Sequence, residues 1–186
     1  MKVAAVDIGR VNTLIVVFKV EVDVTIVNIE KYSLNNTKLQ SLCSLKIEKQ
    51  LHDVDIVIIE EQLTACNSRI HVNQVYNKII ESFITGLSVG LKKHVSFSNS
   101  KKRHTNTLRR LDKLNVVYPI QSMYTHSYSK RVSCILFNYC ISTNHLIIEP
   151  PIAHLIDTMS KSDDIRDCYC MIWEYMEMKN NYFIIN

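Results

Sequence analysis

Glycine is scarce in this chain of 186 residues, where only Gly9, Gly86 and Gly90 occur. Proteins that wrap nucleotide phosphates use several glycine-rich turns, because backbone amides must approach the phosphates closely. The scarcity therefore argues against a site built from such turns.

Segments that could cross a membrane are also missing, since no run approaches the roughly 18 apolar residues required. The opening residues, MKVAAVDIGR, include an acid and lack the long hydrophobic run and cleavage site of a signal peptide. We therefore expect a soluble intracellular protein. A composition of 47% hydrophobic and 22% charged residues predicts one compact domain over residues 1–186.

Paired cysteines with the C-x2-C spacing of a zinc site are absent. Disulfides are not expected in a reducing compartment, so we interpret the cysteines as small buried residues or bystanders, with a metal site as the less favoured alternative. The six cysteines are Cys43, Cys66, Cys134, Cys140, Cys168 and Cys170.

Acidic residues are nearly missing from the middle of the chain. Residues 82–148 contain ten Lys and Arg residues and one acid, Asp112, which gives this stretch a charge of +9 in a chain of net charge +4. The asymmetry predicts a basic surface for a polyanion and a separate cluster of carboxylates. A solvated basic face is the plainer alternative.

Hydrophobic patterns predict a mixed sheet. The first 34 residues favour three antiparallel strands, and DVDIVIIEE favours an inner strand because its apolar run does not alternate. HVSFS predicts a fifth strand. Helices are predicted at 37–51, 68–90, around the basic stretch NSKKRHTNTLRRLDKLN and at 162–178, whereas residues 115–149 are not assigned. The result is an α/β fold, a five-stranded sheet with helices on both faces.

Three of these helices have predicted buried sides. In the last helix the buried side comprises Ile165, Cys168, Ile172 and Tyr175. In the first helix the buried side comprises Leu39, Leu42, Leu45 (with Ile47) and Leu51. In the basic helix it comprises Leu108, Leu111 and Leu114.

Three acids crowd the start of the last helix in the stretch SKSDDIRDC. Asp163 and Asp164 suit a helix N-terminus after a Ser162 cap, which is sufficient to explain them. Asp167 lies one turn after Asp164 on the same face, where two carboxylates repel unless a cation lies between them.

Two further acids stand at the ends of predicted strands. Asp7 interrupts the apolar run VAAVDIG, and Glu60, followed by Glu61, ends IVIIEE. A hydrogen-bonded loop anchor would explain Asp7, and a solvated strand end would explain Glu60. Together with the helix pair, however, these acids offer the oxygen ligands that a pair of Mg²⁺ ions requires for phosphoryl chemistry.

The stretches VDIGRVN, IIEEQ and KSDDIRDC resemble, in order, the motifs of RuvC-type Holliday junction resolvases, most closely the poxvirus and mitochondrial branch. The resemblance implies a ribonuclease H-like fold, divalent metal and a symmetric homodimer that cuts four-way DNA junctions by paired nicks. It implies that two Mg²⁺ ions, for which Mn²⁺ substitutes, are held by four acids: Asp7, Glu60, Asp164 and Asp167.

The resemblance also assigns roles to neighbouring residues. Gln62 takes the last place of the second motif, Glu61 is its variable position, and Asp163 is a supporting or capping acid. The family's lysine before the last motif corresponds to Lys102, unless that residue is simply another basic residue of the DNA-facing helix. The residues expected to grip phosphates are Lys101, Lys102, Arg103, Arg109 and Arg110.

The stretch 115–149 is long for a compact resolvase and is interpreted as a candidate insertion. Poxvirus kinship implies the cytoplasm of an infected cell and the resolution of joined viral genomes, with no membrane partner. A non-catalytic DNA-binding homologue is the main alternative. An actin-like or sugar-kinase ATPase, which also opens with DIG and two strands, is disfavoured by the lack of glycine-rich turns.

Overall fold

The computed structural model describes residues 1–9, 12–34, 37–62, 72–120, 125–159 and 163–179. These residues form a sheet with helices packed on it. The strands are β1 (Lys2–Ile8), β2 (Thr13–Val20), β3 (Val24–Tyr32), β4 (Ile56–Glu60), β5 (His94–Ser98) and β6 (Leu146–Ile148). The helices are α1 (Thr37–His52), α2 (Val72–Gly90), α3 (Ser100–Lys113), α4 (His126–Ser142), α5 (Pro150–Thr158) and α6 (Asp163–Met178).

The sheet is mixed, as predicted, with the strand order β5-β4-β1-β2-β3-β6. The first three strands pair antiparallel, and β4 lies between β1 and β5, parallel to both. The predicted strand count of five is wrong, because β6 adds a sixth strand that pairs in parallel with β3. This strand is only three residues long, so its pairing depends on a distant partner more than on a local pattern.

Side-chain alternation divides the core into two layers. Ala4 and Val6 of β1 face α1 and α2, whereas Val3 and Ala5 face the opposite layer, which contains α3, α4 and α6. The predicted placement of helices on both faces of the sheet is therefore confirmed.

Helix α6 is the central element of the second layer. It packs against β1, where the Cys168 thiol lies 3.7 Å from the Ala5 carbonyl oxygen, and it also packs against α3 and α4. The predicted buried stripe, which includes Ile165 and Cys168, is buried. Every residue of the range 168–176 is buried as well, because α6 lies between the sheet and the two outer helices.

The described part of the unassigned stretch 115–149 contains α4 and β6. Tyr128, Val132 and Leu136 of α4 are buried in the same layer as α6. The candidate insertion is thus part of the hydrophobic core, and it brings α4 against the helix that carries the acids.

The predicted buried side of α1 is partly wrong. Leu42 and Leu45 are 65% and 76% exposed, whereas Ile47 and Leu51 are buried. A spacing of three residues falls short of the 3.6-residue helical turn, so the predicted leucines drift around the helix. Polar Gln40 is buried instead, because its side-chain amide donates a hydrogen bond to the Leu34 carbonyl at 3.0 Å.

This placement predicts different effects for the same substitution on one helix. Leu51 is 0% exposed, so Leu51→Ala should reduce the free energy of unfolding by about 2–5 kcal/mol. Leu45→Ala, at an exposed site, should change it by less than about 0.5 kcal/mol. Urea denaturation of both variants measures the difference, and equal losses would contradict the described orientation of α1.

No helix among the described residues is long and apolar enough to span a membrane. Five cysteines are free thiols, and Cys140, Cys168 and Cys170 are buried, which agrees with their interpretation as small core residues. Cys66 lies outside the described residues, as do the proposed helix cap Ser162 and the first residues of the predicted helix 68–90.

Candidate metal centre

Asp7 and Glu60 lie next to each other at the ends of two neighbouring parallel strands. The register pairs Val6 of β1 with Ile59 of β4, so the following residues of both strands are adjacent. Alternation places both carboxyl groups on the face that α6 covers, the face of Ala5 and Ile58. The sheet thereby brings together two acids that are 53 positions apart in the sequence.

A close backbone contact between Gly9 and Asn12 follows Asp7. The Gly9 amide donates a hydrogen bond to the Asn12 carbonyl at 3.1 Å, and a Cβ atom at Gly9 would lie only 2.6 Å from the same oxygen. Position 9 therefore requires glycine, which explains why one of the chain's few glycines follows this acid. Arg10 and Val11, between the two, lie outside the described residues.

Helix α6 brings Asp164 and Asp167 to the same place. Burial raises the pKa of Asp7 well above its ordinary value, and the negative charges of Glu60, Asp164 and Asp167 raise it further. Burial likewise raises the pKa of Asp167. Four acids from three distant segments thus lie near enough for the charges of three of them to act on Asp7, and their role as metal ligands stays a prediction.

An arginine of α3 pairs with one of these acids. Arg103 Nη2 donates a hydrogen bond to Glu60 Oε1 at 2.8 Å, and the side chains of both residues are largely buried. Burial alone would raise the pKa of Glu60. The guanidinium charge and the hydrogen bonds from Asp7 and Arg103 outweigh it and hold that pKa below its usual value. Glu60 therefore keeps its negative charge.

Arg103 belongs to a buried polar network behind the acids. Its Nη1 lies 3.5 Å from Ser98 Oγ, which donates a hydrogen bond of 2.5 Å to Glu174. Asn106 donates to the other oxygen of Glu174 at 3.3 Å. The predicted role of Arg103 as a phosphate contact on the surface does not fit this position, because the side chain points into the protein.

Helix α4 supplies a lysine that the sequence did not indicate. Lys130 pairs with Asp163 and lies 3.4 Å from Asp164. Partial burial would raise the pKa of Asp163, but the hydrogen bond and charge of Lys130 lower it. Ser133, one turn further along α4, hydrogen-bonds Asp167. These residues were missed because the stretch 115–149 had no assigned structure that would place it beside α6.

Gln62 supports Glu60 from the strand end. Its side-chain amide donates to the Glu60 carbonyl oxygen at 3.2 Å and lies 3.4 Å from Glu60 Oε2. In turn, Asn77 donates to Gln62 Oε1 at 3.0 Å, and the Gln62 backbone amide donates to buried Glu81 at 2.7 Å. This network ties the end of β4 to α2. The neighbouring Glu61 is exposed and accepts a hydrogen bond from Asn99.

The remaining basic residues of α3 divide into two groups. Lys101, Lys102 and Arg109 are exposed. Arg110 is mostly buried, with its guanidinium carbon 4.5 Å from the centre of the Trp173 ring and one nitrogen 3.6 Å from Glu177. The predicted DNA contact of Arg110 therefore does not fit its position, whereas those of the exposed three stay predictions. The proposed catalytic role of Lys102 also stays a prediction.

Hard divalent cations such as Mg²⁺ bind oxygen ligands, and the site offers only carboxylate oxygens, so its chemistry suits such a cation. The four carboxylates belong to Asp7, Glu60, Asp164 and Asp167. Within the described ranges, no three acidic, histidine or cysteine side chains stand close enough together to hold one ion. Arg103 pairs with Glu60, and Lys130 lies 3.4 Å from Asp164. Side-chain rotations would have to bring the oxygens onto a shared cation.

No protein-family model and no curated protein matches the sequence. Solved structures do match. The fowlpox virus resolvase in complex with Holliday junction DNA has a TM-score of 0.62 and 20% identity, covering 96% of this chain and 98% of that one. The yeast mitochondrial Holliday junction resolvase has a TM-score of 0.63 and 14% identity, covering 91% of this chain and 75% of that one. The chain therefore has the ribonuclease H-like fold of these resolvases.

Proposed function

We propose that this protein is a metal-dependent endonuclease that resolves four-way DNA junctions. The observation that carries the proposal is the convergence of Asp7 and Glu60 with the acids of α6 on one face of the sheet. The shared fold supports it, because two proteins with that fold are Holliday junction resolvases.

The four acids would hold two Mg²⁺ ions, which supply an activated water and stabilise the leaving oxygen of the cleaved phosphodiester. The protein's own part is positioning. The strand ends fix the backbone of Asp7 and Glu60, and the buried helix α6 fixes the backbone of Asp164 and Asp167, so only side-chain rotations would be needed to bring the oxygens onto the metal. Lys102, exposed at the start of α3, would contact the phosphate that is cut.

DNA would bind across α3 through Lys101, Lys102 and Arg109, whose side chains are exposed. Contacts of lysine and arginine with phosphates carry affinity but little base information. Selectivity would therefore come from the shape of the junction.

Resolution of a four-way junction requires cuts in two opposite strands, whereas the described part of each chain has one such cluster of acids. We propose that two copies form a symmetric homodimer, so that paired nicks can be made at opposite strands. The resemblance to poxvirus resolvases also leads us to propose that the protein acts in the cytoplasm of an infected cell, on joined viral genomes.

Cleavage of synthetic junctions tests the proposed activity. With Mg²⁺, or with Mn²⁺, we expect nicks in two opposite strands of a four-way junction, because the carboxylates need a divalent cation to act on phosphodiesters. Linear duplexes of the same sequence should remain uncut, and EDTA should stop the reaction. Denaturing gels with each strand labelled in turn measure the positions of the cuts.

Two outcomes would count against the proposal. Junction binding without cleavage in either metal, over junctions of varied sequence, would favour a non-catalytic DNA-binding protein. Equal cutting of junctions and linear duplexes would indicate a nuclease that does not select for branched structure.

A further inference from the structure

Among the residues that the structure describes, Arg103 is a buried cation beside the acids. Its side chain is 7% exposed, and it lies between the strand end that carries Glu60 and the buried carboxylate of Glu174. A residue in this place cannot reach a DNA phosphate without leaving its partners. Its position calls for a function inside the protein.

The two carboxylate oxygens of Glu60 have different neighbours. Oε1 accepts the hydrogen bond from Arg103 Nη2 at 2.8 Å, whereas the Gln62 amide lies at a longer distance of 3.4 Å from Oε2. A carboxylate held firmly by one oxygen has a fixed orientation, and its second oxygen remains available to a cation.

Arg103 is itself held in place by a second contact. Its second terminal nitrogen, Nη1, lies 3.5 Å from Ser98 Oγ, and Ser98 is bound to Glu174. The planar guanidinium thus spans two partners with separate nitrogens, which a lysine ammonium on a flexible chain does not reproduce. The positive charge of Arg103 also acts on Asp167, where it opposes the repulsion among the acids.

We propose that Arg103 is a positioning residue of the metal centre, which orients Glu60 through Oε1 so that Oε2 can bind a divalent cation. The inference rests on the proposed function in taking Glu60 as a metal ligand. It replaces the expectation that Arg103 contacts DNA. The rival role is that of a competitor, in which the guanidinium occupies Glu60 and has to be displaced by the metal.

Calorimetric titration of the DNA-free protein with Mn²⁺ separates these roles. Arg103→Gln should weaken Mn²⁺ binding by about 10-fold or more, the usual effect of losing a group that orients a metal ligand. Arg103→Lys should recover part of the affinity, because it restores the charge but not both contacts. Lys113→Gln, the same kind of change at an exposed position of the same helix, should leave the affinity as in the wild type.

Junction binding in EDTA provides the second measurement. Arg103→Gln should bind a four-way junction as tightly as the wild type, because the side chain does not reach the surface. Unchanged or tighter Mn²⁺ binding by Arg103→Gln would overturn the proposal, and tighter binding would identify a competitor. A loss of junction affinity with unchanged Mn²⁺ affinity would restore the DNA-contact role.

Loss of the buried cation also threatens folding, because Glu60 and Glu174 would face each other's charge. The double variant Arg103→Gln/Glu174→Gln removes one positive and one negative charge and should show the same weakened Mn²⁺ binding with a native circular dichroism spectrum. If the wild type binds Mn²⁺ and cuts junctions while this variant binds Mn²⁺ equally well, only the inference fails. If the wild type neither binds Mn²⁺ nor cuts, the proposed function and the inference both fail.

Discussion

Asp7→Asn should reduce the rate of junction cleavage by at least about a thousandfold, since a catalytic metal contributes several kcal/mol of transition-state stabilisation that a lost carboxylate ligand forfeits. Asparagine keeps the size and hydrogen-bonding capacity of the side chain, so the strand pairing at the end of β1 should be preserved. Single-turnover cleavage of a labelled junction measures the rate, and a mobility shift in EDTA should show unchanged junction affinity.

The same variant should be more stable than the wild type when metal is removed. The pKa of Asp7 is raised in the folded protein by burial and by three neighbouring acids. A carboxyl group whose pKa is raised by folding is harder to ionise in the folded state than in the unfolded state. The folded wild type therefore loses stability as the pH rises from the unfolded pKa of 3.8 through the raised folded pKa. Asparagine does not ionise, so the variant's advantage in EDTA should grow over that range and reach about 1 kcal/mol or more.

Asp157→Asn is the matched control, because Asp157 lies exposed on α5, away from the cluster. It should change neither cleavage nor stability beyond about 0.5 kcal/mol. If Asp7→Asn instead cut junctions at a normal rate, Asp7 would not be a metal ligand. If it lost both cleavage and folded structure, the acid would serve as a structural anchor of the strand end.

Tyr169→Ala should be the most damaging single change to the core, with a loss of about 3–5 kcal/mol in the free energy of unfolding. Tyr169 is fully buried on α6, and its ring contacts those of Phe18, Phe137 and Trp173, with centroids 6.3, 5.6 and 6.1 Å away. These partners come from β2, α4 and α6 itself, so the ring joins the sheet to both helices. Urea denaturation measures the loss.

Tyr169→Phe is the control for the ring contacts. It keeps the aromatic packing and removes only the hydroxyl group, so it should cost no more than about 1.5 kcal/mol. Because α6 also carries Asp164 and Asp167, Tyr169→Ala should weaken Mn²⁺ binding, whereas Tyr169→Phe should not. Equal stability of the two variants would mean that the rings contribute little to holding α6 in place.

The acids of the candidate site could be found from the sequence because each breaks a local pattern. Asp7 interrupts an apolar strand, Glu60 ends one, and Asp167 follows Asp164 on the same helical face. Their roles came from the order of three short motifs, and the fold that those motifs imply is the one observed.

The cations beside the acids could not be found in the same way. Arg103 stands in the same basic run as Lys101, Lys102 and Arg109, and from the sequence each of them is an equally plausible partner for an acid. Only the packing of α3 turns Arg103 inward. Lys130 lies in a stretch without turn residues that would define its elements, so nothing local indicated that it meets Asp163.

The amino-acid sequence alone determined the order of strands and helices along the first half of the chain, the apolar strands that Asp7 interrupts and Glu60 ends, and the helix that presents Asp164 and Asp167. These features follow from periodicities of two and 3.6 residues, which are local properties of the chain. Only the tertiary structure decided which cation neutralises which acid, and that β6 completes the sheet. Such pairings join residues more than 30 positions apart and depend on burial and distance, which no local pattern records.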